Sequence, residues 1–257
     1  MTFKNDLKKA AIIGGLMLAG GVSSESNFNV NPELNKKEIY YEKLSNFLNR
    51  QSEIYAVLDL EKRLKEEREN LSKPLDLSPD QLNEYIKQAY NNVKKWPKEF
   101  DKRLFRLLIR QESKYNAHAI SKSGYMGLGQ NGTEVIQTLR PEEYKKMINP
   151  DTGEIDSLSV KRYLFDPVKN LELSLEYLTY CSEFCSKRDP NWKESDLDTQ
   201  RKKMLFCYNA GIGTAEKHGF DHRDKKEING KRLKKENMDY PEDIMKAYYD
   251  QNVKVKI

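Results

Sequence analysis

Glu112 ends an apolar helical run and stands directly before a loop dense in polar and glycine residues, where an acid catalyst would face a cleft. A glycosidic oxygen is a poor leaving group. Cleaving its bond at neutral pH needs a carboxylic acid that still holds its proton, hence surroundings that disfavour the charged form. Phe105, Leu108 and Ile109 lie seven, four and three residues before Glu112, the spacing of one helical face, so Glu112 continues an apolar stripe. A carboxylate in the last helical turn also meets the negative end of the macrodipole, which pushes its pKa the same way.

Three segments can position that group. The loop after Glu112 runs Ser113-Lys114-Tyr115-Asn116-Ala117 and on through Gly124, Gly127 and Gly129 to Gln130; Asn116 suits a local hydrogen bond or a left-handed turn, and the glycines allow close backbone approach. Asp166-Pro167 has the form of an N-cap followed by a first-turn proline, starting a helix with Leu171, Leu173, Leu175, Tyr177 and Leu178. Leu205-Phe206-Cys207-Tyr208-Asn209-Ala210-Gly211 is an apolar helix end with a glycine stop, delivering Tyr208 and Asn209 to a second loop edge. An aromatic ring and an amide there suit a polysaccharide.

In this order the segments resemble the catalytic domain of the soluble lytic transglycosylases, which share the goose-type lysozyme fold. The resemblance rests on Glu112-Ser113, Asn116-Ala117, Ser121, Gly124, Gly127-Leu128, Gln130, Asp166-Pro167 with Asn170, and Tyr208-Asn209-Ala210-Gly211. Glu236 to Tyr240 is similar to a Glu-Thr-x-x-Tyr element of the family, with Asn237 in place of Thr. The match covers roughly residues 96 to 252. It implies a one-carboxylate reaction without cofactor or metal. Glu112 protonates the oxygen joining N-acetylmuramic acid to N-acetylglucosamine, then as carboxylate takes the proton of the muramyl C6 hydroxyl as a 1,6-anhydro ring closes. Hydrolytic glycosidases use two carboxylates instead, and no second Asp or Glu stands out in the motif loops. The resemblance also assigns substrate-binding or supporting roles to Ser113, Asn116, Gln130, Tyr208, Asn209 and Glu236. Ser113 and Asn116 serve equally well as helix caps, Glu236 as a solvated surface residue, and Asn170 as a helix or loop anchor.

The family usually has an apolar residue, commonly Met, where this chain has Gly129, and further apolar residues and a Pro where it has Asn131-Gly132-Thr133. That predicts an altered subsite, with Thr133 as N-cap of a helix burying Val135, Ile136 and Leu139. Two other functions stay open: muramidase-type hydrolysis of the same bond, and a catalytically weak wall-binding scaffold.

Lys4, Lys8 and Lys9 precede an apolar run from Ala10 to Val22, with Ser23 and Ser24 after it, the pattern of a cleavable secretory signal over residues 1–24. The run falls short of the about 20 residues of a comfortable membrane span, which leaves an uncleaved anchor as the lesser alternative. A periplasmic or other envelope location follows. In an oxidising compartment Cys207 can pair with Cys181 or Cys185, leaving one thiol; the Cys spacing fits neither a zinc finger nor a zinc ribbon, and His118 is expected in a loop, His218 and His222 on the surface. Charge is mixed across 257 residues with a net +5, which argues against a nucleic-acid enzyme; the basic stretch from Arg223 to Lys235 reads as a solvated loop.

Residues 25–95 are organised differently. Ile39, Tyr40, Leu44, Phe47, Leu48, Ile54, Tyr55, Leu58 and Leu64 stripe a long charged helix that stops before Pro74, its heptad register slipping near Val57. Ser78-Pro79-Asp80-Gln81 begins a second helix presenting Leu82, Tyr85, Ile86 and Tyr90. The two helices are expected to form a hairpin against the catalytic lobe, or to dock on a secretion or division assembly. The predicted architecture is all-α, a lysozyme-like lobe over residues 96–257 with short extended pieces in its active-site loop.

Overall fold

The structure is a computed structural model and describes residues 32–224, 227 and 232–250. The Lys-flanked apolar run and its Ser23-Ser24 boundary therefore lie outside the described residues, as do residues 225–226 and 228–231 of the basic stretch. Among the described residues no helix is long and apolar enough to cross a membrane. The chain is helical as expected, and its only extended pieces there are isolated bridges, of which Ile120 with Met126 and Met126 with Asn131 fold the loop after Glu112 back on itself.

Helix α1 spans Pro32–Leu71, and the boundary between two compact units falls within it, between Lys62 and Arg63. In the first unit the stripe faces solvent: Tyr40, Phe47, Ile54, Tyr55 and Leu58 are all more than half exposed. The second unit contains everything that positions the candidate site. Helix α2 (Pro79–Asn92) starts with the anticipated capping box, the Ser78 side chain accepting from Gln81 N and the Gln81 side chain from Ser78 N. Leu82, Ile86, Ala89 and Tyr90 of α2 are buried in one core with Phe105, Leu108, Leu171 and Phe206, so α2 is part of the same hydrophobic body as the helix that carries Glu112.

That helix, α3 (Lys102–Ser113), is capped by Asp101 and ends where Lys114 and Tyr115 take left-handed φ values of 54° and 70°. Next come α4 (Thr133–Leu139), α5 (Pro141–Lys145) and α6 (Ser157–Leu164). Gly132, not Thr133, is the N-cap of α4, and no side chain caps it. Thr133 is already the first helical residue there, and the extended backbone that an N-cap needs falls one position earlier, on Gly132. Val135 and Ile136 are buried and Leu139 packs beside them. Asp166 caps α7 (Pro167–Arg188) by accepting from Lys169 N, with Pro167 in the first turn as expected. Helix α7 packs on α2 and on α8 (Leu197–Ala210); α9 (Ile212–Lys217) and α10 (Lys235–Tyr249) follow, and α10 lies against both α8 and α3. Because α3 and α8 both contact α10, the C-terminal helix can bring a side chain to Glu112.

Candidate active site

Glu112 lies in the last turn of α3, and the residues three, four and seven before it, Ile109, Leu108 and Phe105, are fully buried. The stripe read from the sequence therefore surrounds the carboxyl with apolar matter on its protein side. Burial pushes its pKa up to about 7, opposed by a hydrogen bond that the Tyr240 hydroxyl donates to Oε1. Tyr240 is buried on α10, and burial, reinforced by the Glu112 charge, raises its own pKa, so it remains a donor. With Oε1 engaged, the carboxyl proton belongs on Oε2. Removing the Tyr240 donor should favour the neutral acid further: in Tyr240→Phe the basic limb of the pH–rate profile is expected to move up by on the order of one pH unit. A limb that stays in place or moves down would contradict this electrostatic role.

Glu112 opens into a cleft of about 1050 Å³, which Gln130, Tyr208, Asn209 and Glu236 also line. Tyr208 closes its inner wall, donating a 2.7 Å hydrogen bond to Gly129 O. Beside it stand Tyr177, with ring centroids 5.3 Å away, and Tyr180, stacked on Tyr177 at 6.3 Å and 20°. Rings of this kind offer flat apolar faces to sugar rings.

The remaining expected site residues hold the loop. Ser113 Oγ donates to Ile109 O and accepts from Tyr115 N, and Asn116 Oδ1 accepts from Leu75 N and His118 N. Both act as backbone caps, the second of the two roles the sequence left open, and neither lines the cleft. Gln130 is in the left-handed region at φ 51°, its amide donating to Ala119 O and Gly127 O. Glu236 sits on the exposed rim, 3.4 Å from Lys234.

Asn170 is the anchor beneath this loop. It is fully buried; Nδ2 donates to Met126 O and Leu164 O, and Oδ1 accepts from Gly129 N. The same network accounts for the departure at Gly129. A Cβ there would run into Ser174 Oγ and the Tyr208 hydroxyl, while buried Asn131 donates to Ser174 Oγ and Asn170 O. A polar interior bracket thus occupies the space that a side chain at Gly129 would enter, and Gly129 leaves no gap in the cleft wall.

The sequence matches the family described as Transglycosylase SLT domain over residues 89–230, more than half of the chain. The chain belongs to the transglycosylase SLT domain family. No curated protein matched the sequence. Membership makes peptidoglycan the substrate class and transglycosylase chemistry the general activity. The SLT match takes in Glu112, the loop to Gln130, Asp166 to Asn170 and Tyr208, and ends before Tyr240.

Three features of the site escaped the sequence reading. Tyr240 was visible as the last residue of the Glu236 element, yet only tertiary contact reveals that it holds Glu112. Glu134, together with Glu236, places further carboxylates on the cleft although none stood out in the motif loops. His218 and His222, expected on the surface, are buried, because Asp224 and Glu242 each offer an oxygen 2.9 Å from an imidazole nitrogen. The thiols are all buried and free; the Cys185 and Cys207 sulfurs lie 3.3 Å apart.

Proposed function

We propose that this protein is a peptidoglycan lytic transglycosylase that cleaves the β-1,4 bond between N-acetylmuramic acid and N-acetylglucosamine and leaves 1,6-anhydro ends. The observation that carries the reading is the Glu112 carboxyl, buried against apolar side chains and poised near neutrality where it lines the cleft. As the neutral acid it gives its Oε2 proton to the leaving oxygen. The resulting carboxylate is held by the Tyr240 hydroxyl, which stabilises the charge formed in that step. It then takes the proton of the muramyl C6 hydroxyl as C6–O attacks the anomeric carbon, and the enzyme returns to its starting protonation state with no water consumed. Tyr208, Gln130 and Asn209 border the sugar that carries the scissile bond, and Tyr177 and Tyr180 offer a platform to its neighbours.

Such a substrate requires export, for which the Lys-flanked run of residues 10–22 supplies a signal. In an oxidising compartment the neighbouring sulfurs of Cys185 and Cys207 close a disulfide between α7 and α8, and Cys181 stays free. Intact mass before and after reduction, with one thiol titrating in the unreduced denatured protein, tests the pairing; three thiols would refute it.

The function itself is tested by digesting purified sacculi and resolving the soluble products by mass spectrometry. Anhydro-muramyl ends are expected. Reducing ends would indicate hydrolysis, and no soluble product would leave only a wall-binding role.

A further inference from the structure

The departing segment Asn131-Gly132-Thr133 also shapes the cleft at a second carboxylate. Glu134 lies in the first turn of α4 and lines the same cavity as Glu112. Its carboxylate folds back over Gly132: a Cβ on that glycine would collide with both Glu134 oxygens. Tyr125, itself 41% exposed, stands on the same cleft wall, and burial together with the Glu134 charge raises the pKa of its phenol, which stays a donor. Among the described residues no Lys or Arg pairs with Glu134. A carboxylate has about four acceptor positions, and a single phenol can fill at most one of them. The rest face a space that the Tyr177 and Tyr180 rings also border.

We propose that Glu134, folded over Gly132 on the wall it shares with Tyr125, is a substrate-binding carboxylate that accepts hydrogen bonds from the hydroxyl or acetamido N–H groups of a saccharide unit in the cleft. This inference rests on the reading of the cleft as a glycan-cleaving site. Three observations meet in it. Glycan hydroxyls and acetamides are donors in search of acceptors, and a charged acceptor makes the stronger bond. Stacked tyrosines take the apolar face of the same ring. Gly132 is the residue that leaves the carboxylate room, and it stands where the chain leaves its family's apolar pattern.

Steady-state cleavage of soluble glycan strands by the full chain tests the proposal. Glu134→Gln is expected to raise KM about tenfold while kcat stays within about twofold, the signature of binding lost equally from ground and transition states. Gly132→Ala is the sharper variant. Its φ of −100° and ψ of 169° suit alanine, so the new methyl displaces the flexible Glu134 carboxylate without straining the backbone. It should reproduce the KM rise with no more than the small loss of melting temperature that an alanine N-cap brings, and Gly132→Ala with Glu134→Gln should have a KM no worse than either alone. An unchanged KM in Glu134→Gln overturns the proposal. So does a kcat loss beyond about hundredfold with a switch in product ends, which would make Glu134 a catalytic base. Wild-type protein that releases no product would instead sink the proposed function itself.

Discussion

Glu112→Gln is expected to lower the rate of glycan cleavage by at least about 10³-fold, because an amide has no proton to give to the glycosidic oxygen and general acid–base catalysis is worth roughly 10²–10⁴ at each proton transfer. The same substitution should stabilise the protein at neutral and alkaline pH. The folded carboxyl has its pKa at about 7 against 4.5 for the unfolded chain, so the folded state binds this proton more tightly. The stabilisation from that binding is complete below pH 4.5, shrinks as the unfolded state ionises, and is gone once pH has risen through about 7. The difference is on the order of 3 kcal/mol. The amide of the variant carries no such dependence. Its melting temperature relative to wild type should therefore climb between pH 4.5 and 7 by several degrees and then level off. Wild-type activity follows the same proton: as pH rises above about 7, kcat/KM should fall as the acid ionises. A melting difference that is equal at pH 4.5 and pH 8, or a variant that keeps a tenth of wild-type activity, would break the link between burial and acidity on which the proposed mechanism stands.

What the sequence disclosed and what it hid divide by the range of the interaction. Phe105, Leu108 and Ile109 repeat at helical spacing, so the apolar bed of Glu112 could be read from the eight residues 105–112. Ser78 with Gln81, and Asp166 with Pro167, are caps closed within one turn, and both helices start where those residues said they would. The pairings that finish the site span much longer separations. Tyr240 reaches Glu112 from 128 residues away, and Ser174 stands where a Gly129 side chain would go from another helix. Read singly, Gly129 and Asn131 look like a loosening of the loop; with Ser174 and Asn170 beside them they are a satisfied interior network. His218 and His222 make the same point in reverse. A histidine next to charged residues reads as surface until a carboxylate from elsewhere in the fold permits its burial. Glu134 escaped for a different reason: its own helix turn is ordinary, and only Gly132 at its side and Tyr125 across from it turn its carboxylate toward the cleft.

Asn170→Ala is expected to be the most destabilising single change near the site. Truncation leaves Leu164 O and Gly129 N–H without a partner in an interior where Asn170 is fully buried, and takes from Met126 O one of its two donors, Asn131 N–H remaining. Each orphaned group costs about 1–3 kcal/mol unless water reaches it, and the small cavity left by the amide can admit one water at most, so a net loss of about 4 kcal/mol is expected. Against a total stability of roughly 5–15 kcal/mol for a domain, that is severe. Asn170→Asp separates the two halves of the effect: it keeps an acceptor for Gly129 N–H, loses both donations, and adds a buried charge, so it should be no better than alanine at neutral pH. The loss should appear as a lower urea midpoint at an unchanged slope. It should also appear as faster proteolysis between Ile120 and Asn131, since Met126 O and Gly129 N are two of the points where that loop is fastened to α7, leaving only the Asn131 amide. Cleavage should suffer beyond the stability loss, because the loop that carries Gln130 and receives the Tyr208 hydroxyl at Gly129 O would no longer hold one shape. A loss under about 1 kcal/mol would mean that the loop is fastened elsewhere, and that Gly127, whose Cβ would strike Leu164 O and the Asn170 amide, is small for the sake of its φ of 79° alone.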